Sequence, residues 1–281
     1  FILFVIVKFF IFWGVWSLAW GLTRDRWAAA LAVVFLLWNA YMKELSVQFY
    51  SFTLICRYAV IPLLFFGLRR FWDKRYLASA VLFGLAFQVH AMTTIYWLVI
   101  AGVCFFWNIR DILWEDVPGG GRRFNRVEVR RLLLALGVFL VLALPMVVWR
   151  AWMPMPAAPA GFSRQDWFEY SYVWKGAYIF YSLWSRTHLW AFLFCLAFLV
   201  LPLWQLHRDR ALCWYAPTAL GALAVMAVHF VVTELIPFQP LYQLQWYRAS
   251  DVLPLLAVIG VARIVSLEAT KPWRWVPAVA A

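Results

Sequence analysis

Apolar residues run along this chain in long stretches, and short basic clusters separate the stretches. The runs lie at 1–22, 27–42, 52–68, 77–107, 132–149, 189–206, 211–233 and 252–267. The main interruptions hold Arg24/Arg26, Arg69/Arg70/Lys74/Arg75, Arg122/Arg123/Arg126/Arg130/Arg131, Arg208/Arg210 and Lys271/Arg274. Apart from 77–107, each run has 16–23 residues. At about 1.5 Å per residue that crosses, or nearly crosses, a hydrocarbon core of roughly 30 Å. The pattern predicts an all-α, polytopic transmembrane helical bundle, with 1–281 forming a single membrane domain.

The run 77–107 does not fit one ordinary crossing. Its 31 residues make a helix of about 46 Å. Basic loops flank it on both sides, at 69–76 and 108–131. Cytoplasmic loops carry the excess of Lys and Arg, so both flanks belong on the cytoplasmic side and the run must return to the face it entered. It therefore reads as a short-helix or re-entrant hairpin that breaks near Gln88-Val89-His90. Such irregular backbone is tolerated only inside protein or along a cavity.

With that hairpin in place, loops 23–26, 69–76, 108–131, 207–210 and 263–274 are cytoplasmic and carry 17 basic residues. The external segments 43–51, 150–188 and 234–251 carry 6. A single crossing at 77–107 would put the heavily basic 108–131 loop outside, against the bias.

Composition supports the membrane reading. Hydrophobic residues are 66% of the chain and charged residues 14%, where a soluble domain is about one quarter charged. The net charge of +12 is spread between spans, not gathered on one face, which excludes a nucleic-acid footprint. Cys56, Cys104, Cys195 and Cys213 fall in apolar runs with no C-x-x-C pair, so neither a disulfide framework nor a structural zinc site is indicated. Many of the 20 tryptophans flank the spans, as an interfacial belt does. The chain starts at Phe1 with no Met and ends on the apolar Trp275–Ala281 stretch, which reads as a fragment truncated at both ends. Segment 150–188 begins rich in proline and turns aromatic from Trp167 to Trp184. It is expected to be an extracytoplasmic loop, either an amphipathic helix on the outer leaflet or a wall facing substrate.

A few polar residues stand out against this background. Arg57 lies inside a span, where an arginine is costly and marks a functional site by default; snorkelling to the outer interface is the alternative. His90 sits at the expected hairpin tip, at a depth similar to that of Arg57; the alternative is a histidine bonded to a neighbouring helix. The external stretch 234–251 brings Gln243, Gln245, Arg248 and Asp251 to the start of the last span. Arginine suits two-point phosphate binding, and Gln243 and Gln245 suit sugar hydroxyls. The alternative for Arg248 is an i, i+3 pair with Asp251. Glu44 and His229 face the same compartment. Gly119-Gly120-Gly121 is followed by Arg122-Arg123, not by Gly-Lys-Ser/Thr, so it reads as a flexible cytoplasmic loop and not a phosphate loop. No metal site and no cofactor are indicated.

The stretch from Arg57 through Pro62 to Arg69-Arg70, with Tyr76 through Gln88-Val89-His90, resembles the middle of bacterial GT-C-type membrane glycosyltransferases and their uncharacterised relatives. Gln245-Trp-Tyr-Arg248-Ala-Ser-Asp251 is similar to their late external motif. The resemblance covers about 43–108 and 240–262. It implies a cell-envelope enzyme of the bacterial inner (plasma) membrane, using a polyprenyl-phosphate-linked sugar donor at the extracytoplasmic face. Arg57, His90 and Arg248 are the positions carried over, and the implied partners are membrane lipid and the lipid-linked sugar. The family's catalytic carboxylate falls in the first external loop, which here would precede Phe1; Glu44 is a secondary candidate. Two rival readings are a transporter or flippase for a lipid-linked or anionic substrate, and a non-catalytic polytopic assembly subunit.

Overall fold

A computed structural model describes residues 2–38, 56–117, 120–153, 163, 165, 166, 169, 181–205, 213–236 and 246–269. Its helices are α1 (Ile2–Thr23), α2 (Arg26–Trp38), α3 (Cys56–Trp72), α4 (Tyr76–Trp107), the short α5 (Ile109–Leu113), α6 (Arg126–Trp152), α7 (Arg186–Gln205), α8 (Tyr215–Phe230) and α9 (Val252–Ala269). Strands β1 (Trp114–Val117) and β2 (Gly121–Phe124) pair antiparallel between α5 and α6. Among the described residues, six helical segments are long and apolar enough to cross a bilayer, α4 included. The chain is an integral, multi-pass membrane protein with an all-α bundle.

The bundle is sorted by exposure. On α9 nearly every residue from Val252 to Ala262 is buried, so this helix runs through the protein interior. On α6 only Glu128, Ala135 and Ala143 are buried, and its exposed leucines and valines form a lipid-facing surface of the kind a membrane helix presents. Small residues let the inner helices approach closely. A Cβ added at Gly221 of α8 would lie 3.0 Å from the Ile100 Cα of α4.

The expected hairpin is present. His90 has non-helical dihedrals, φ −155° and ψ 84°, inside α4. The break is a reversal of direction. Lys74, just before α4, donates from Nζ to the Asp111 carbonyl just after it, at 3.1 Å. A continuous 32-residue helix would hold its ends about 48 Å apart. The two arms, 76–89 and 91–107, thus share one end of the bundle.

The other loops expected on one side gather at that end. Arg24 lies 3.6 Å from Asp73, Arg69 pairs with Asp73 at 3.0 Å, and Arg263 pairs with Asp25 at 2.8 Å. Those contacts place the α1–α2 turn, the α3–α4 turn, the 108–131 region and the end of α9 together as a basic end. Helix α1 runs parallel to α3, with Lys8 Nζ over the Tyr58 ring and Trp13 against Phe66 before the Arg24–Asp73 contact.

Several expectations need correction. The stretch read as a flexible loop includes strand residues: Gly121 opens β2 and pairs with Val117, Gly120 before it has φ +89°, a conformation that favours glycine, and Trp114 packs edge-on against Phe124 across the strands. Helix α6 begins at Arg126, six residues before the apolar run, because the Asn125 side chain accepts the Glu128 amide and caps it. Cys213 lies exposed in the turn before α8, outside the membrane helix. Arg263, expected in a loop, lies in α9. Most of 150–188, the loop 207–210 and the end from 270 lie outside the described residues.

Candidate functional site

The break in α4 is built from its own side chains. No proline or glycine lies at the reversal. Instead His90 takes the place of an N-cap: its Nδ1 accepts the Thr93 amide at 3.2 Å, and the Thr94 hydroxyl donates to the His90 carbonyl at 3.1 Å. The first of these bonds serves an amide that the start of the second arm would otherwise leave unsatisfied. The acceptor role of Nδ1 puts the ring proton of neutral His90 on Nε2. Two residues earlier, the Gln88 amide donates to the Leu142 carbonyl of α6, which satisfies a polar group deep in an apolar bundle.

Helix register then places other residues relative to the tip. Ser79 Oγ donates to the Gly67 carbonyl at 2.8 Å, fixing the first arm antiparallel to α3. Counting equal steps from that bond sets Arg57 level with Val89. The second arm gives the same answer independently. Phe65 meets Trp97 edge-on at 5.5 Å, and equal steps back along these parallel segments again pair Arg57 with Val89. The Arg57 backbone and the hairpin tip are at one depth, about 21 Å from the start of α4.

A second histidine lies at this depth. Helix α8 runs antiparallel to the second arm, with Gly221 against Ile100 and Thr218 Oγ1 3.4 Å from Cys104 Sγ. Equal steps from Gly221 and Ile100 pair His229 with Met92. His229 is fully buried, and its ring meets that of Tyr181 at 5.9 Å. The helix changes character here: 231–235 is a π-turn, a form found often at functional sites.

The described parts of segments 150–188 and 234–251 meet α8 near the same end. Tyr181 Oη donates to the Met226 carbonyl at 3.3 Å, and the Ser182 amide donates to Glu234 Oε1 at 2.9 Å. The 3-10 turn Trp246–Asp251, which contains Arg248, packs against α8 and α4. Ala249 and Ser250 are buried within it.

Of the residues singled out by sequence, the structure brings the backbones of Arg57 and His90 to one level and sets the Arg248 turn against the helices that bear His90 and His229. The side chains of Arg57 and Arg248, and all of Glu44, Gln243 and Gln245, lie outside the described residues. Sequence reasoning placed His229 near the end of its span but missed its level beside the tip, because that depends on the register of α8 against α4. No protein-family model, curated protein or solved structure matches the chain.

Proposed function

We propose that the chain is a membrane glycosyltransferase of GT-C type, using a polyprenyl-phosphate-linked sugar at the extracytoplasmic face of a bacterial inner membrane. The observation that carries the reading is the single layer that holds Arg57, His90 and His229 at the end of the bundle opposite the basic loops. By the positive-inside bias the basic loops are cytoplasmic, so this layer opens outward.

An anionic lipid phosphate is the ligand chemistry such a layer suits. Arginine at positions 57 and 248 would neutralise it with paired N–H donors. His90 would donate from Nε2, since its Nδ1 is held by Thr93. Donors held in place at a site of low dielectric would strengthen such contacts as charge develops on the departing phosphate.

One observation favours a second reading. Both α4 and α8 lose regular helix at the same depth, and interrupted helices at a shared level also serve transporters. The test is a polyprenyl phosphate titrated into full-length protein in nanodiscs, paired with a liposome assay for lipid translocation. Binding that weakens at least about tenfold in Arg57→Ala and in Arg248→Ala, with no translocation, is the expected result. Unchanged binding removes the phosphate role; translocation without sugar transfer selects the flippase.

A further inference from the structure

At the basic end, away from the layer just described, a cavity of about 580 Å³ lies between the two arms of the α4 hairpin and α6. That is within the range of roughly 300–1,000 Å³ typical of small-molecule sites. Its walls are almost wholly apolar. Tyr76, Ala80 and Phe83 come from the first arm, and Leu98, Ala101 and Gly102 from the second. The small residues make the space: a Cβ at Gly102 would meet nothing within 4 Å. On the α6 side, Leu133 is 64% exposed and Leu136 53%, so the cavity opens sideways into the hydrocarbon region.

Two features give the cavity a polar head. Tyr76 is 4% exposed, and its buried hydroxyl has no hydrogen-bond partner among the described residues. A buried hydroxyl left so is costly, and Tyr76 is one of the residues lining the cavity. The sequence flanking the rim is rich in arginine, with Arg122 and Arg123 each 3.9 Å from a carboxylate, Asp111 and Glu115. Phe124, Val129 and Leu132 line the cavity within a stretch that also carries Arg122, Arg123, Arg126, Arg130 and Arg131, with Arg75 beside Tyr76. Glu128 of the same stretch is tied to Arg131 at 2.7 Å.

We propose that this cavity takes one acyl chain of an anionic phospholipid from the leaflet at the basic end. The chain fills the space between the arms and α6. The Tyr76 hydroxyl donates to the glycerol ester or phosphate oxygen, and the headgroup lies against the arginine rim. Basic pockets between membrane helices on the cytoplasmic side are suited to anionic headgroups, and a zwitterionic lipid would forgo that attraction. The bound lipid would wedge the hairpin against α6 and so hold the tip of α4 at its depth.

The test is native mass spectrometry of the full-length protein, delipidated and titrated with phosphatidylglycerol or phosphatidylcholine. One phosphatidylglycerol is expected to bind at least about tenfold tighter than phosphatidylcholine, an effect two or more rim arginines can supply. Gly102→Leu fills the space and should abolish that site. Tyr76→Phe removes only the hydroxyl and should weaken binding several-fold while the fold is unchanged. Arg126→Ala/Arg130→Ala should erase the preference between the lipids. Equal binding of both lipids by the wild type, or unchanged phosphatidylglycerol binding in Tyr76→Phe and in a folded Gly102→Leu, would overturn the assignment.

Discussion

Asp25 and Arg263 are far apart in sequence, yet Arg263 Nη1 donates to Asp25 Oδ2 at 2.8 Å. The Ser266 hydroxyl donates to the same oxygen at 2.5 Å, while Asp25 Oδ1 accepts the Trp27 amide at 2.8 Å and caps α2. One carboxylate thereby joins the first helix turn to the last described helix. Burial pushes the Asp25 carboxyl up, but the bonds from Ser266, the Ala28 and Trp27 amides and Arg263 outweigh it and hold it below its usual value. A carboxyl depressed in the folded state stabilises the fold above its unfolded value of about 3.9 and loses that contribution as pH falls through the folded value. Asp25→Asn keeps a cap but loses the ion pair. Its thermal unfolding temperature in detergent should fall below wild type near neutral pH, and the gap should close as pH drops below about 4. A gap constant down to pH 3 would contradict this.

His90 carries two roles that substitution separates. His90→Ala removes the acceptor for the Thr93 amide and should cost about 1 kcal/mol, as loss of an N-cap does. His90→Asn restores a capping acceptor but has no imidazole. Thermal unfolding should show the alanine variant destabilised and the asparagine variant near wild type. If the asparagine variant binds polyprenyl phosphate as wild type does, the ring has only a structural role.

Close packing around α9 makes a sharper stability prediction. A Cβ at Gly260 would lie 2.6 Å from the Tyr215 hydroxyl, which donates to the Leu256 carbonyl at 2.8 Å. Gly260→Ala must displace that buried phenol and should cost about 1–3 kcal/mol. At Gly137 on lipid-facing α6 a Cβ meets nothing within 4 Å, so Gly137→Ala should be neutral or slightly stabilising. Unfolding of the two variants side by side in the same detergent checks both.

Much of the architecture was legible because the bilayer constrains it so tightly. Apolar run length located the membrane helices to within a few residues at most ends, and basic loops on both flanks of 77–107 required the reversal at His90. What was missed depends on tertiary or local polar detail that run length does not encode. The cap at Asn125 starts α6 inside a basic stretch, so charge hid the helix. The β1–β2 pair is only four residues a strand, and its glycines read as loop although Gly120 marks the turn. The site was legible only in part: Arg57 and His90 could be matched by depth, but His229 joined them only through the register of α8. The Asp25–Arg263 pair leaves no periodic signal.

Sidedness has its own test. Cys213, exposed beside the basic end, and a cysteine introduced as Arg122→Cys should react with a membrane-impermeant thiol reagent from the cytoplasmic side only. Glu234→Cys should react from the other side only. Labelling of sealed right-side-out and inverted vesicles reads both; Cys213 labelled from outside with Glu234→Cys labelled from the cytoplasmic side would invert the orientation, and labelling of both from one side would contradict their placement at opposite ends.

The most direct test of the central claim is sugar transfer from a polyprenyl-phosphate-linked donor by the reconstituted full-length protein. Transfer should occur in wild type. Arg57→Ala and Arg248→Ala should each lose at least about 2–3 kcal/mol of transition-state stabilisation, which is roughly 30-fold or more in rate. Arg248→Lys should also be clearly impaired, because it keeps the charge but loses the planar two-point contact. Wild-type rates in all three variants, or no transfer by the wild type with any lipid-linked sugar, would contradict the account.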